Sequence, residues 1–183
     1  MATPTGADLR SDEGKEVLAL IGLALLSAQA TEQLLKSIMI MLVPEKPLTS
    51  IEQLTESFDA EAKRTFGQMI FKLRERTNLE PGFDDRLRKL LSTRNIIAHD
   101  IKKLPGYDMA TSEGRRAGSD ALVEFIEENE FFSMRLLGIM RGWANHVGMS
   151  PPEGTPDEVL RELDEQHVPA VSALFGITLD KRP

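Results

Sequence analysis

Residues 17–30 carry no charge at all, and their apolar side chains recur at helical spacing. Everything else in the chain has to be arranged around this stretch. At about 100° per residue, Val17, Leu20, Ile21, Ala24, Ala28, Leu35, Ile38, Met39 and Leu42 form one stripe. Leu23, Leu26, Ala30, Leu34 and Met41 form a second on nearly the opposite side. A helix that is apolar on two sides is either central in its domain or also covered by a partner subunit. The run is shorter than the roughly 20 residues that span a bilayer, and Ser27 and Gln29 interrupt it. It therefore reads as a core helix, with no membrane role.

The pattern stays helical almost throughout, with no convincing run of period-2 alternation. A first helix is expected over 12–43, ended by Pro44 and Pro47. Ser50-Ile51-Glu52-Gln53 has the spacing of a capping box, so a short helix starts there. Another is expected over 59–77, with Phe66, Met69, Ile70 and Leu73 at helical spacing, and Pro81-Gly82 makes the next break. A helix over 83–103 follows, stopped by Pro105-Gly106. Residues 106–118 are polar, contain Gly114, Arg115, Arg116 and Gly118, and read as a long loop. A long helix is expected over 119–147, with Gly148 as its C-terminal cap. Residues 150–154 form a linker, and Thr155-Pro156-Asp157-Glu158 reads as an N-cap, a first-turn proline and a capping-box acid. The expected fold class is all-α: an up-and-down bundle of four main helices with short accessory helices. The expected organisation is one bundle over 1–148, with 149–183 a linker and a short C-terminal helix in the same domain.

The composition removes several function classes. The chain has 183 residues, 41% hydrophobic and 28% charged, which suits one substantial globular domain. No cysteine means no disulfide framework, no thiolate nucleophile and no Cys-based zinc site. That fits a reducing, cytoplasmic setting. The start, Met1-Ala2-Thr3-Pro4-Thr5-Gly6-Ala7-Asp8, has no basic segment ahead of an apolar one and does not read as a signal peptide. Three histidines without a His-Glu-x-x-His pattern make a poor metal set, and no cofactor motif is visible. His146 is expected to interact with a helix end. The net charge of −7 argues against binding nucleic acid through the overall field. Residues 72–103, however, hold nine bases against five acids, a local +4 that leaves −11 for the remainder.

Inside that basic window lies Arg94-Asn95-Ile96-Ile97-Ala98-His99. Arginine holds phosphate through a planar fork of donors. Histidine is the side chain best suited to moving protons near neutral pH. On a regular helix Leu87, Leu90, Leu91, Ile97, Ala98 and Ile101 form the apolar stripe, and Arg94 falls in its middle. Arg88, Ser92, Asn95 and His99 cluster on the other side. Asn95 and His99 stack four apart, whereas Arg94 and His99 are separated by about 140°. Three arrangements are open for Arg94: pairing with a buried carboxylate, for which Glu32 is the best candidate; reaching along its stem into a cleft; or a local helix distortion that brings it to His99.

These residues resemble the signature of the HEPN superfamily of small helical bundles: Arg, four to six residues, then His, often with a polar residue after the Arg. Arg94, Asn95 and His99 match it, and the helical order over about 12–148 is similar, including Glu32 and Lys36 ahead of the 65–70 segment. The resemblance implies a homodimer with the motif helices facing across a cleft. It also implies a metal-independent endoribonuclease of the kind found among toxins and phage-defence proteins. Arg94 would then hold the scissile phosphate, His99 would be the general acid or base, and Asn95 would orient one of them. Arg88, Lys102, Arg115 and Arg116 are the candidate contacts to an RNA backbone, and an antitoxin or regulator is an implied partner. One toxin subgroup carries Tyr two residues after the His; Ile101 stands there in this chain. Other members with the same fold are non-catalytic interaction or nucleotide-binding modules.

Overall fold

The computed structural model describes residues 11–41, 50–76 and 80–170, though not the side chains of Met41, Leu54, Glu61, Ala62 and Arg76. Six α-helices and no strand are found among them, as the absence of period-2 alternation predicts. They are α1 (Asp12–Met41), α2 (Ile51–Ala62), α3 (Phe66–Arg76), α4 (Pro81–His99), α5 (Ser112–Val147) and α6 (Asp157–Glu162). A 3-10 turn, Ile101–Lys103, follows α4, and a π turn, Leu163–His167, follows α6. The polar start of the chain, the Pro44 and Pro47 stop and the end of the tail lie outside the described residues.

Two compact units divide the chain. The first joins Met1–Ala30 to Arg88–Glu130, the second joins Thr31–Leu87 to Phe131–Pro183, and the divisions fall within α1, α4 and α5.

In the first unit Val17, Ala24, Ala28, Leu90, Ile97, Leu104, Leu122 and Phe125 are buried. The start of α1 is tied to the start of α5. Arg115 donates from Nε to Glu13 Oε2 at 3.0 Å and pairs through Nη2 at 2.8 Å, while Ser112 Oγ donates to the same carboxylate at 3.0 Å. Lys89 of α4 pairs with Glu124 of α5 at 2.8 Å.

The second unit has the larger apolar core: Leu35, Ile38, Met39 and Ile40 from α1, Phe66, Met69, Ile70 and Leu73 from α3, with Phe83, Leu87, Phe132, Leu136 and Ile139. Phe83 and Phe132 stack with ring centroids 4.6 Å apart. Within this core Thr31 and Ser133 satisfy each other through a 2.6 Å hydroxyl contact, so the buried Thr31 keeps a partner for its polar atom. Arg141 grips Asp164 with two donors, at 2.9 and 2.7 Å.

Several element boundaries differ from expectation, each for a local reason. The helix expected over 59–77 is two helices. The chain breaks at 63–65, where Thr65 and Gln68 form a reciprocal cap: Gln68 N–H donates to Thr65 Oγ1 at 3.3 Å, and Thr65 N–H to Gln68 Oε1 at 3.0 Å. Pro81-Gly82 is the start of α4, because proline suits a first turn and the Glu80 carboxylate accepts the N–H groups of Gly82 and Phe83 at 2.9 and 2.8 Å. The long loop expected over 106–118 is only half loop. From Ser112 it is helical, with Gly114 N–H capped by Thr111 Oγ1 at 3.0 Å. Its glycines serve close packing: a Cβ on Gly118 would sit 2.6 Å from the Tyr107 ring, and one on Gly114 would run into the Asp108 backbone. Thr155 does not cap α6; its hydroxyl donates to the Pro152 carbonyl at 2.7 Å and Pro156 takes the cap position.

Two expectations hold closely. Gln53 N–H donates to Ser50 Oγ at 3.3 Å at the start of α2. Gly148, at φ 76°, ends α5 in a Schellman arrangement: its N–H reaches the Asn145 carbonyl at 3.3 Å, and Met149 N–H reaches Ala144 at 2.9 Å.

Candidate functional site at the end of helix α4

The stripe of α4 loses contact with the interior as the helix proceeds. Phe83, Leu87 and Leu90 are buried, Leu91 and Arg94 are half-buried, and Ala98 is exposed. Ala98 was expected in the apolar stripe, so the structure corrects that placement; Ile97 alone keeps this last turn buried. Arg94 stands where the buried row gives way to an open one.

The motif residues are arranged as the wheel requires. Arg94 Nη1 donates to Asn95 Oδ1 at 3.3 Å. Asn95 and His99 are both exposed on the outer side of the helix. α4 is unbroken through His99, and Asp100 N–H continues the ladder to the Ile96 carbonyl at 2.9 Å. No distortion at Ile96-Ile97 swings Arg94 toward His99. Five residues on a regular helix leave them about 140° apart. Asn95 is therefore the side chain between them, linked to Arg94 and one turn below His99.

Glu32 is half-buried, pairs with Lys36 at 3.2 Å on its own helix, and belongs to the second unit. Arg94 belongs to the first.

The four candidate backbone contacts differ in exposure. Arg88 and Arg116 are exposed on helices, and Lys102 is exposed in the 3-10 turn. Its neighbour Lys103 is held by Asp100 at 2.9 Å, and that hydrogen bond raises the Lys103 pKa. Arg115 is different. Its side chain is 12% exposed, two donors face Glu13, and Nη1 donates to the Met109 carbonyl at 3.0 Å. It holds the start of α5 to α1. Sequence reasoning missed Glu13 because it reads as a helix N-terminal acid; only the fold puts it beside Arg115. The Arg115 hydrogen bond, with help from Ser112, lowers the Glu13 pKa below the usual carboxylate range.

His146 is exposed in the last turn of α5, and no group of three or more metal-ligating side chains occurs among the described residues. A half-exposed groove of about 550 Å³ lies along α3, lined by Arg64, Thr65, Gln68, Phe71, Lys72 and Glu75.

The arrangement at the end of α4 offers a cation, an amide and an imidazole on a rigid helix, with the amide and imidazole open to solvent. Such a set can neutralise a phosphate and move a proton without a metal. No family model matches the chain, and no curated protein or solved structure is significantly similar to it.

Proposed function

We propose that this protein is a metal-independent endoribonuclease of the HEPN type, built on an up-and-down helical bundle and acting in the cytoplasm as a toxin or phage-defence effector. The observation that carries this reading is Arg94 joined to Asn95 at the exposed end of α4, with His99 one turn further along the helix. Arg94 holds the scissile phosphate and offsets its growing charge. His99 takes the proton from the ribose 2′-hydroxyl as that oxygen attacks phosphorus, or returns one to the departing 5′-oxygen. On one regular helix Arg94 and His99 point apart, so the complete site draws Arg94 from one protomer and His99 from its partner. An antitoxin or regulator is the expected protein partner.

The test is cleavage of RNA in EDTA. Wild type is expected to cut, and His99→Ala and Arg94→Ala to lose the activity. Equal cleavage by wild type and His99→Ala, or none by either, overturns the reading.

A second reading has its own support. The net charge of −7 and an aromatic share of 5% offer little to attract RNA or stack its bases. They favour a non-catalytic module of the same fold that binds a protein or nucleotide. Growth arrest on expression that disappears with Arg94→Ala would count against this second reading.

A further inference from the structure

We propose that Arg86 and Arg135, both set against the ring of Phe131, form a binding site for a phosphate group. The site uses none of the residues assigned to RNA cleavage. Arg86, Phe131 and Arg135 belong to the second unit, whereas Arg94 and His99 belong to the first.

The local structure builds the pair. Phe83 of α4 stacks on Phe132 of α5 with ring centroids 4.6 Å apart, which ties the two helices together at this level. Arg86 follows Phe83 by about one turn, and its guanidinium carbon lies 3.8 Å from the centroid of the Phe131 ring. Arg135 stands four residues beyond Phe131 on the same helix face, with its guanidinium carbon 4.9 Å from the same centroid. The two cations are therefore no farther apart than the sum of those distances.

Two cations at one ring need a reason. An aromatic face attracts a guanidinium, but a second one brought close to the first is repelled by it. Arg135 is the costlier member, because it is half-buried. Its Nη1 donates to the Gln166 carbonyl at 3.2 Å, and its Nε is buried without an acceptor. No carboxylate among the described residues pairs with it. Asp84 and Asp164, on the elements beside it, pair with Arg74 at 2.6 Å and with Arg141 at 2.7 Å. Burial, and then the charge of Arg86, lowers the Arg135 pKa. A buried charge without a counter-ion is strongly disfavoured, and an orphaned buried donor calls for an ion or water. An anion held by both side chains supplies the missing charge.

The geometry selects phosphate. Each guanidinium is a planar fork that takes phosphate oxygens at about 2.7–2.9 Å. A carboxylate is planar and fills one fork, whereas a tetrahedral phosphate presents oxygens to two forks at once. The edge of the Phe131 ring is the positive part of its quadrupole, so an anion there is favoured while the cations keep to the faces. Two sources share this chemistry: a free phosphate ester and the 5′-phosphate of an RNA strand.

Melting in phosphate tests the site, against sodium chloride of equal ionic strength. Wild type is expected to melt roughly 5–10 °C higher once inorganic phosphate stands about a hundredfold above its dissociation constant. Arg86→Gln, at an exposed position, and Arg135→Gln are each expected to lose most of that rise. Calorimetric titration should give a phosphate dissociation constant at least about tenfold weaker in either variant. If Arg135→Gln does not fold, Arg86→Gln decides alone. A wild type that does not respond overturns the proposal. So does an equal rise in wild type and Arg86→Gln, which is the general effect of an excluded ion. A rise lost in Arg94→Ala but kept in Arg86→Gln also overturns it and moves the phosphate to the cleavage motif. The source is read from a 5′-phosphorylated oligoribonucleotide and its unphosphorylated twin, in the His99→Ala background. With a phosphate response that depends on Arg86, tighter binding of the first upholds the site with an RNA end as its source. Equal binding of the two upholds it with a free phosphate ester. The response to inorganic phosphate stands or falls whether or not the protein cuts RNA.

Discussion

Single residues here do work that their type does not announce. Arg115 was expected at an RNA backbone, yet its donors are directed to Glu13 and the Met109 carbonyl. Arg115→Ala is expected to lower the melting temperature. The sign of its pH dependence follows from Glu13, whose pKa the Arg115 hydrogen bond lowers. A depressed carboxylate contributes stability that is full above its unfolded value and lost as pH falls through its folded value. The gap between wild type and Arg115→Ala, read as urea midpoints, should therefore close in acid; a gap that widens there would contradict the assignment. Arg116, by contrast, is exposed, and its removal should change the unfolding free energy measured in urea by no more than about 0.5 kcal/mol. The identity of the motif residues was legible in the sequence, since Arg94, Asn95 and His99 need only their spacing to be noticed. The engagement of Arg115 was not, because Glu13 lies far from it along the chain.

At the scale of elements, most helices could be read from periodicity and caps, and the failures lie at their boundaries. Glycine and polar residues were taken as loop signals at 106–118, where two glycines are instead the condition for tight contact within a helix. Gly118→Ala would push a methyl group into the Tyr107 ring, 2.6 Å away. It is expected to cost about 1–3 kcal/mol, measured by denaturant unfolding. Gly138→Ala in the second half of α5 meets the His167 Cβ at 2.7 Å and should cost a similar amount. Gly22→Ala, with open space around it, should be neutral or slightly stabilising in dilute solution, because alanine suits a helix better. The break between α2 and α3 shows the converse error: an apolar row continued on paper where Thr65 and Gln68 cap a new start. Thr65→Ala is expected to cost about 1 kcal/mol.

For the whole molecule, the absence of strands among the described residues was legible because no segment alternates. The division into two units was not, since it cuts through α1, α4 and α5 and leaves no linker for composition to mark. The larger core belongs to the second unit, and Phe132 is among its largest fully buried side chains, stacked on Phe83. Phe132→Ala should cost about 3–5 kcal/mol, the heaviest single loss among the substitutions considered, and should leave little folded protein at 37 °C.

The chain has one tyrosine and one tryptophan. Tyr107, its ionisation pushed up by burial, sits in the first unit, and Trp143 in the second. Nature has thus placed a separate optical label in each half. Excitation at the red edge isolates the indole, and the phenol reports through its own absorbance. Melting followed at both chromophores tells whether the halves come apart together or in sequence, without any dye being attached.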